Sequence, residues 1–380
     1  MRISIPVSAF VAAIVGFGGT LALVIAAAHA VGATQIETAS GVTAICLAMV
    51  VECLWLSWRT KMPIITAWST PGLALIAASS GFTMPQAVGA FMVTGILLVA
   101  TGLFRPLTRL IAKIPASVAS GMLAGILVSF AVNAVKAIPA DPWLILPLIA
   151  AFFVIRLFNP ALSVLVVLIG GGLAAFLTGR VGSLPAPELS TLTLIAPQFT
   201  ASATIGLALP LYLVTMASQN LSGLAVLRAA GYHPKPGPLI GVTGLFSLLS
   251  APFGAATTNL AAISAALCTG PDVHPDPAER WKTGPFYALA YLVFAIFGAS
   301  LVAIFAVLPQ SLIVLVAGLA LTAPLANALS IALKDEAERM PATVTFAATA
   351  SGLTLFGVGA AFWGLVAGMA VLFLEKLKKR

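Results

Sequence analysis

Two prolines interrupt long apolar stretches near their middles, in Ser69-Thr70-Pro71-Gly72 and in Ser250-Ala251-Pro252-Phe253-Gly254. Each break frees backbone N–H and C=O groups, which is tolerated in lipid only where protein or a cavity covers them. Hydroxyls surround both breaks. After Pro71 the run Gly72-Leu-Ala-Leu-Ile-Ala-Ala is helix-competent, with Thr70 expected at the N-cap and Pro71 at N1. After Pro252, Thr257-Thr258-Asn259 leads into Leu260-Ala-Ala-Ile-Ser-Ala-Ala-Leu, expected as a second half-helix. Each N-terminus offers free N–H donors and roughly half a positive charge. Facing one another, the two would hold an anion in a dry interior. A proline kink repaired by hydroxyls is the plainer alternative, and the duplication argues for a site.

Other polar residues in apolar runs join this constellation. Ser218-Gln219-Asn220 lies deep in a stretch over 203–227, where amides bind a ligand or bond neighbouring helices. Gly16-Phe17-Gly18-Gly19 suits close helix packing, and Phe17 could meet an aromatic ligand. Glu52 is the one carboxylate inside an apolar stretch. A charge at mid-membrane costs about 2.5–3.5 kcal/mol, a cost that a bound proton removes, so Glu52 is the candidate proton carrier. Arg59, two turns along the same face, offers the alternative of a polar crevice. Cys46, Cys53 and Cys268 fall in apolar runs and read as small buried hydrophobes. His29, His233 and His274 fall at interfaces and in loops. The stretch Pro271 to Trp281 reads as a capped connection, with Asp276 before Pro277.

The elements that must position these residues are membrane helices. Of 380 residues 60% are hydrophobic and 8% charged, against about 25% charged in soluble domains. Apolar runs long enough to span a bilayer recur from end to end. They divide into fourteen segments: 8–30, 38–58, 63–81, 86–104, 116–135, 142–158, 160–179, 203–227, 236–250, 252–269, 285–307, 311–329, 341–357 and 359–375. With the N-terminus inside, the inner connections and termini hold all but two of the 19 Lys and Arg residues, Lys136 and Arg180 lying outside. The net charge of +8 is therefore a topology signal and not a nucleic-acid patch. Seven plus seven segments make the halves inverted. Pro115-Ala-Ser117 recurs as Pro309-Gln-Ser311, and Asn133-Ala, Gly170 recur as Asn327-Ala, Gly364. The expected units are 1–182, a connector at 183–202 on the outer side, and 203–380. Ser-His-Asp, Walker, HExxH and CxxC patterns are missing. The sequence therefore points to secondary transport with no cofactor, and not to a membrane enzyme, an ATP-driven pump or a channel.

Several long segments resemble the benzoate:proton symporter family (BenE): Ile65-Thr-Ala-Trp-Ser-Thr-Pro-Gly72, Ala208 to Asn220, Ser250 to Gly254, the His274-Pro-Asp-Pro loop with Arg280-Trp281, and Thr349 to Leu355 with Phe362-Trp-Gly364. The resemblance implies a bacterial inner-membrane symporter importing an aromatic carboxylate with a proton, both termini cytoplasmic. It also implies kinship with the uracil/xanthine permease fold, with short strands before the half-helices of segments three and ten. A core domain would hold segments 1–4 and 8–11, a gate domain 5–7 and 12–14, and a homodimer would form by analogy. Related nucleobase permeases place acidic residues where this chain has Ser218 and Thr258, and neutral hydroxyls there suit a carboxylate ligand. The expected substrate-binding set is Ser69, Thr70, Pro71, Gly72, Ser218, Gln219, Asn220, Thr257, Thr258, Asn259 and Phe17, with Glu52 for the proton. Another small anion or a nucleobase on the same fold is the alternative cargo.

Overall fold

The computed structural model describes residues 2–104, 115–181 and 184–378. Arg105, Arg109, Lys113, Lys379 and Arg380 of the charge count lie outside the described residues, as does the boundary at 182 and 183. Every one of the fourteen apolar segments contains a helix. In chain order these are α1 (Ser4–Ala30), α2 (Gln35–Thr60), α3 (Thr70–Ala77), α4 (Met84–Leu103), α5 (Ala116–Lys136), α6 (Pro142–Phe158) and α7 (Pro160–Leu177). The second half holds α8 (Ala201–Ala229), α9 (Pro236–Ser250), α10 (Ile263–Thr269), α11 (Thr283–Ile296) with α12 (Gly298–Ala306), α13 (Gln310–Ala332), α14 (Arg339–Ala350) and α15 (Ala360–Lys378). Among the described residues eight helices are long and apolar enough to cross a membrane, or nine with α11 and α12, which meet at a 60° bend. α14 ends at Ala350, seven residues short of the expected segment; the chain there enters an exposed turn with Gly352, Phe356 and Gly357 at positive φ.

Helix ends follow from local chemistry. Thr34 and Glu37 close a reciprocal capping box on α2, with N–H to oxygen distances of 2.8 and 3.2 Å. Asp141 and Asn159 cap α6 and α7. Pro115 and Pro309, paired by the internal repeat, stand at the N-caps of α5 and α13 with nearly the same backbone angles. The two cations set apart by the charge count share one end of the bundle: Lys136 closes α5, and Arg180 pairs with Asp141 at the start of α6. At the end of α10, the guanidinium of Arg280 donates to the carbonyls of Thr269 (2.9 Å) and His274 (2.6 Å), placing a cation at a helix C-terminus. Asp276 caps the turn that carries Arg280, as its place before Pro277 suggests.

α9 lies along α4, α11 along α2, and α14 between α5 and α15. Glycine lets the first pair touch. A Cβ on Gly244 of α9 would sit 2.6 Å from the backbone nitrogen of Val99, and one on Gly102 of α4 would sit 2.5 Å from the Cα of Gly241. Gly244→Val should therefore cost at least about 1–3 kcal/mol. Thermal unfolding of the detergent-purified protein should show a clearly lowered midpoint, while Gly359→Ala, whose Cβ meets nothing within 4 Å, should leave it in place.

Candidate functional site

The two broken segments meet as a pair of short strands in the apolar interior. β1 (Thr66–Trp68) and β2 (Thr258–Leu260) run antiparallel, with Thr66 opposite Leu260, Ala67 opposite Asn259 and Trp68 opposite Thr258. The pairing extends outward through Ser69 N–H to Thr257 O (3.1 Å) and Ala261 N–H to Ile65 O (2.9 Å). Side chains satisfy the outer edges: Cys53 Sγ accepts from Thr66 N–H (3.2 Å), Ser247 Oγ from Thr258 N–H (2.9 Å) and Asn220 Oδ1 from Leu260 N–H (3.0 Å). Asn220 thus holds the strand, its Nδ2 resting on Met216 Sδ at 3.5 Å.

The first half-helix starts one residue earlier than expected. Ser69, not Thr70, is the N-cap, its Oγ accepting from Gly72 N–H at 3.2 Å, and Pro71 falls at N2. The β1 hydrogen bonds hold the chain extended through Ser69, and because the Ser69 hydroxyl takes the cap, the helical angles begin already at Thr70. Ser69 also accepts from Thr215 Oγ1 (3.0 Å), which lies 3.2 Å from Thr257 Oγ1. All three hydroxyls are buried. Ser69 Oγ thus has two partners, Gly72 N–H and the Thr215 hydroxyl, and ends a chain of three hydroxyls. Gly72 makes room for this cap and for Leu211 of α8, which a Cβ there would meet at 2.6 Å.

The second half-helix differs more. Thr257-Thr258-Asn259 does not cap it: Thr258 and Asn259 lie in β2, and α10 begins at Ile263 after Ala262, with no side-chain cap. Strand pairing with β1 wins over the local helix preference of 260–262. Gly254, at φ +88, turns the chain after Pro252 into that extended entry. Thr258 then points away from Thr257. Its Oγ1 lies 2.6 Å from Glu52 Oε1, 3.1 Å from Ser247 Oγ and 3.0 Å from Thr243 O. Glu52 is fully buried, with no cation in ion-pair distance among the described residues, and its Oε2 has no hydrogen-bond partner. Asn259 donates to Leu260 O (2.9 Å) and leaves its Oδ1 unpaired.

Ser218 and Gln219 sit in a π-helical turn of α8, Thr215–Asn220, a device frequent at functional positions. Ser218 bonds back to Val214 O, and Gln219 stays half-buried with no hydrogen bond among the described residues. Phe17 packs on Trp68 (ring centroids 5.4 Å), Phe294 (4.3 Å) and Tyr291 (6.3 Å). Trp68 also lines a small, partly open cleft walled by Val24, Ile45, Leu73, Ile76 and Phe91. The sequence reading missed Trp68, Thr215, Ser247 and the Tyr287/Tyr291 pair. Single hydroxyls in apolar helices give no signal; the i, i+4 tyrosines did.

An apolar helical bundle with buried polar side chains gathered where two broken segments cross is the build of a membrane transport protein. The chain belongs to the BenE family, described as benzoate membrane transport protein, whose pattern matches residues 1–374. An inner membrane protein of Escherichia coli (strain K12), YdcO, is 39% identical over 361 residues, 94% of this chain and 92% of its own. A benzoate membrane transport protein of Acinetobacter baylyi is 33% identical over 374 residues, 98% of this chain and 95% of its own. Among solved structures, the transmembrane domain of a cyanobacterium bicarbonate transporter, BicA, superposes with a TM-score of 0.60 at 14% identity, covering 99% of this chain and 98% of its own. The murine Slc26a9 anion transporter in the inward-facing state gives 0.67 at 10% identity, over 100% and 69%. At such identities the likeness is one of fold, that of two inverted seven-segment repeats.

If Ser69 is the cap that holds α3, Ser69→Ala should cost about 1 kcal/mol, read as a lowered unfolding midpoint. Ser69→Thr, which keeps the acceptor, should recover most of it.

Proposed function

We propose that the chain imports benzoate or a close aromatic carboxylate by proton symport across the bacterial inner membrane, with both termini cytoplasmic. The observation that carries this reading is the buried Ser69 hydroxyl, with Thr70 N–H beside it, at the positive end of a half-helix and next to the aromatic wall of Trp68 and Phe17. A carboxylate accepts from the Ser69 hydroxyl and from Thr70 N–H, the one donor of the first turn of α3 left over, since Pro71 has no N–H, Gly72 N–H is held by Ser69 Oγ and Leu73 N–H by Ser69 O, while its ring lies against the aromatic wall. Thr70 and Gln219, both half-buried, are within the same region of the fold and would orient it. The family and the name of the Acinetobacter relative support the cargo. The bicarbonate and anion transporters of like fold support a smaller anion as the second reading. Spans 1–4 and 8–11 would form the core domain and 5–7 with 12–14 the gate, moving for alternating access; gate domains would pair in a homodimer.

Glu52 supplies the coupling. Ionised, it accepts from Thr258 Oγ1. Protonated, it donates to Thr258, whose own proton then turns to Thr243 O at 3.0 Å. Both states are hydrogen-bonded, so the proton can come and go without leaving a buried donor orphaned. Thr257, the residue just before Thr258, belongs to the Ser69 trio, so cargo and proton would act on adjacent residues of one extended segment.

Proteoliposomes loaded at high internal pH should accumulate labelled benzoate saturably; no uptake, with sulfate or bicarbonate taken up instead, would favour the smaller anion. Gln219→Ala should weaken benzoate binding by about tenfold or more, the loss of one buried hydrogen bond to a charged group. Glu52→Gln should leave benzoate exchange running while abolishing the response to an imposed pH gradient. A variant still driven by that gradient would remove Glu52 from the mechanism.

A further inference from the structure

Tyr287 and Tyr291 stand one turn apart on α11, facing α1 and α10. Both are fully buried, and neither hydroxyl makes a hydrogen bond of good geometry among the described residues, though each stands close to the other and Tyr287 to Ser264. Buried polar groups are almost always bonded, so two such hydroxyls on one helix face require a reason. Their position supplies it. A Cβ built on Gly16 would lie 3.0 Å from Ser264 Oγ, 3.3 Å from the Tyr291 hydroxyl and 3.7 Å from the Tyr287 hydroxyl. Three hydroxyls from two helices thus converge on one point, beside a residue of a third helix that has no side chain. The point adjoins the aromatic wall: the Tyr291 ring is 6.3 Å from both Trp68 and Phe17.

We infer that Tyr287 and Tyr291, with Ser264, form a subsite for a hydroxyl on the ring of the transported acid, so that hydroxylated aromatic carboxylates are the preferred cargo. The inference rests on the reading that this chain carries an aromatic carboxylate. A carboxylate only accepts, and among the described residues no cation is paired with these hydroxyls; the three hydroxyls both donate and accept. A phenolic hydroxyl does the same and fits them on both counts. Unsubstituted benzoate would leave the tyrosines unpaired, and a site that bonds a substrate hydroxyl discriminates strongly against the analogue without it.

Binding to the purified protein, by isothermal calorimetry with benzoate and the ortho, meta and para hydroxybenzoates, tests this. The meta or para acid should bind at least about tenfold tighter than benzoate. The ortho acid should gain nothing, because its hydroxyl is bonded to its own carboxylate. Tyr287→Phe and Tyr291→Phe should each shrink the hydroxyl preference while leaving benzoate affinity equal or better, a selectivity change that mere loss of packing does not produce. If benzoate binds and no isomer binds tighter, or if the preference survives both substitutions, the subsite falls and the transport reading stands. If none of the aromatic acids binds, the transport reading falls and takes the subsite with it.

Discussion

Everything in this molecule is arranged around backbone that has left its helix inside an apolar bundle. An unsatisfied N–H or C=O there costs several kcal/mol, so each freed group must find a protein partner. β1 and β2 satisfy one another along their shared edge. Cys53, Ser247 and Asn220 satisfy outer edges, and Ser69 caps the helix that follows. The polar residues of α2, α8 and α9 are thus explained first by the break and only then by any cargo. Asn220 and Ser247 would be equally necessary in a protein that moved nothing.

What remains after this accounting is informative. Gln219, Asn259 Oδ1, Glu52 Oε2, Thr349 Oγ1 and the two tyrosine hydroxyls make no hydrogen bond of good geometry among the described residues. All but Thr349 Oγ1, which is on α14, lie on or around the strand pair and its aromatic wall. Their surplus hydrogen-bonding capacity, in a region otherwise apolar and aromatic, is more than the repair of a kink requires.

The strand pair also sets the relation between the two chemistries. Successive residues of an extended chain point to opposite sides. Thr257 therefore joins Ser69 and Thr215, while Thr258 joins Glu52, Ser247 and Thr243. A helical turn through 257–259 would instead place the two hydroxyls about 100° apart on one surface and leave Glu52 without its partner.

The membrane class, the fourteen apolar segments, the two breaks and their opposed directions were legible in the sequence, because bilayer thickness and the cost of charge act on every residue of a span regardless of its neighbours. Glu52 stood out for the same reason: a lone carboxylate in an apolar run is conspicuous wherever it packs. The cap at Ser69, the strand through Thr258 and the role of Asn220 were decided only by tertiary structure. Each depends on which segment lies alongside: β1 and β2 come from positions 192 residues apart at Thr66 and Thr258, and their pairing overrides local helix preference. The tyrosine pair shows the same limit. Spacing puts Tyr287 and Tyr291 on one face, but only the packing of α11 against α1 and α10 brings Gly16 and Ser264 to them and leaves their hydroxyls without a hydrogen bond of good geometry.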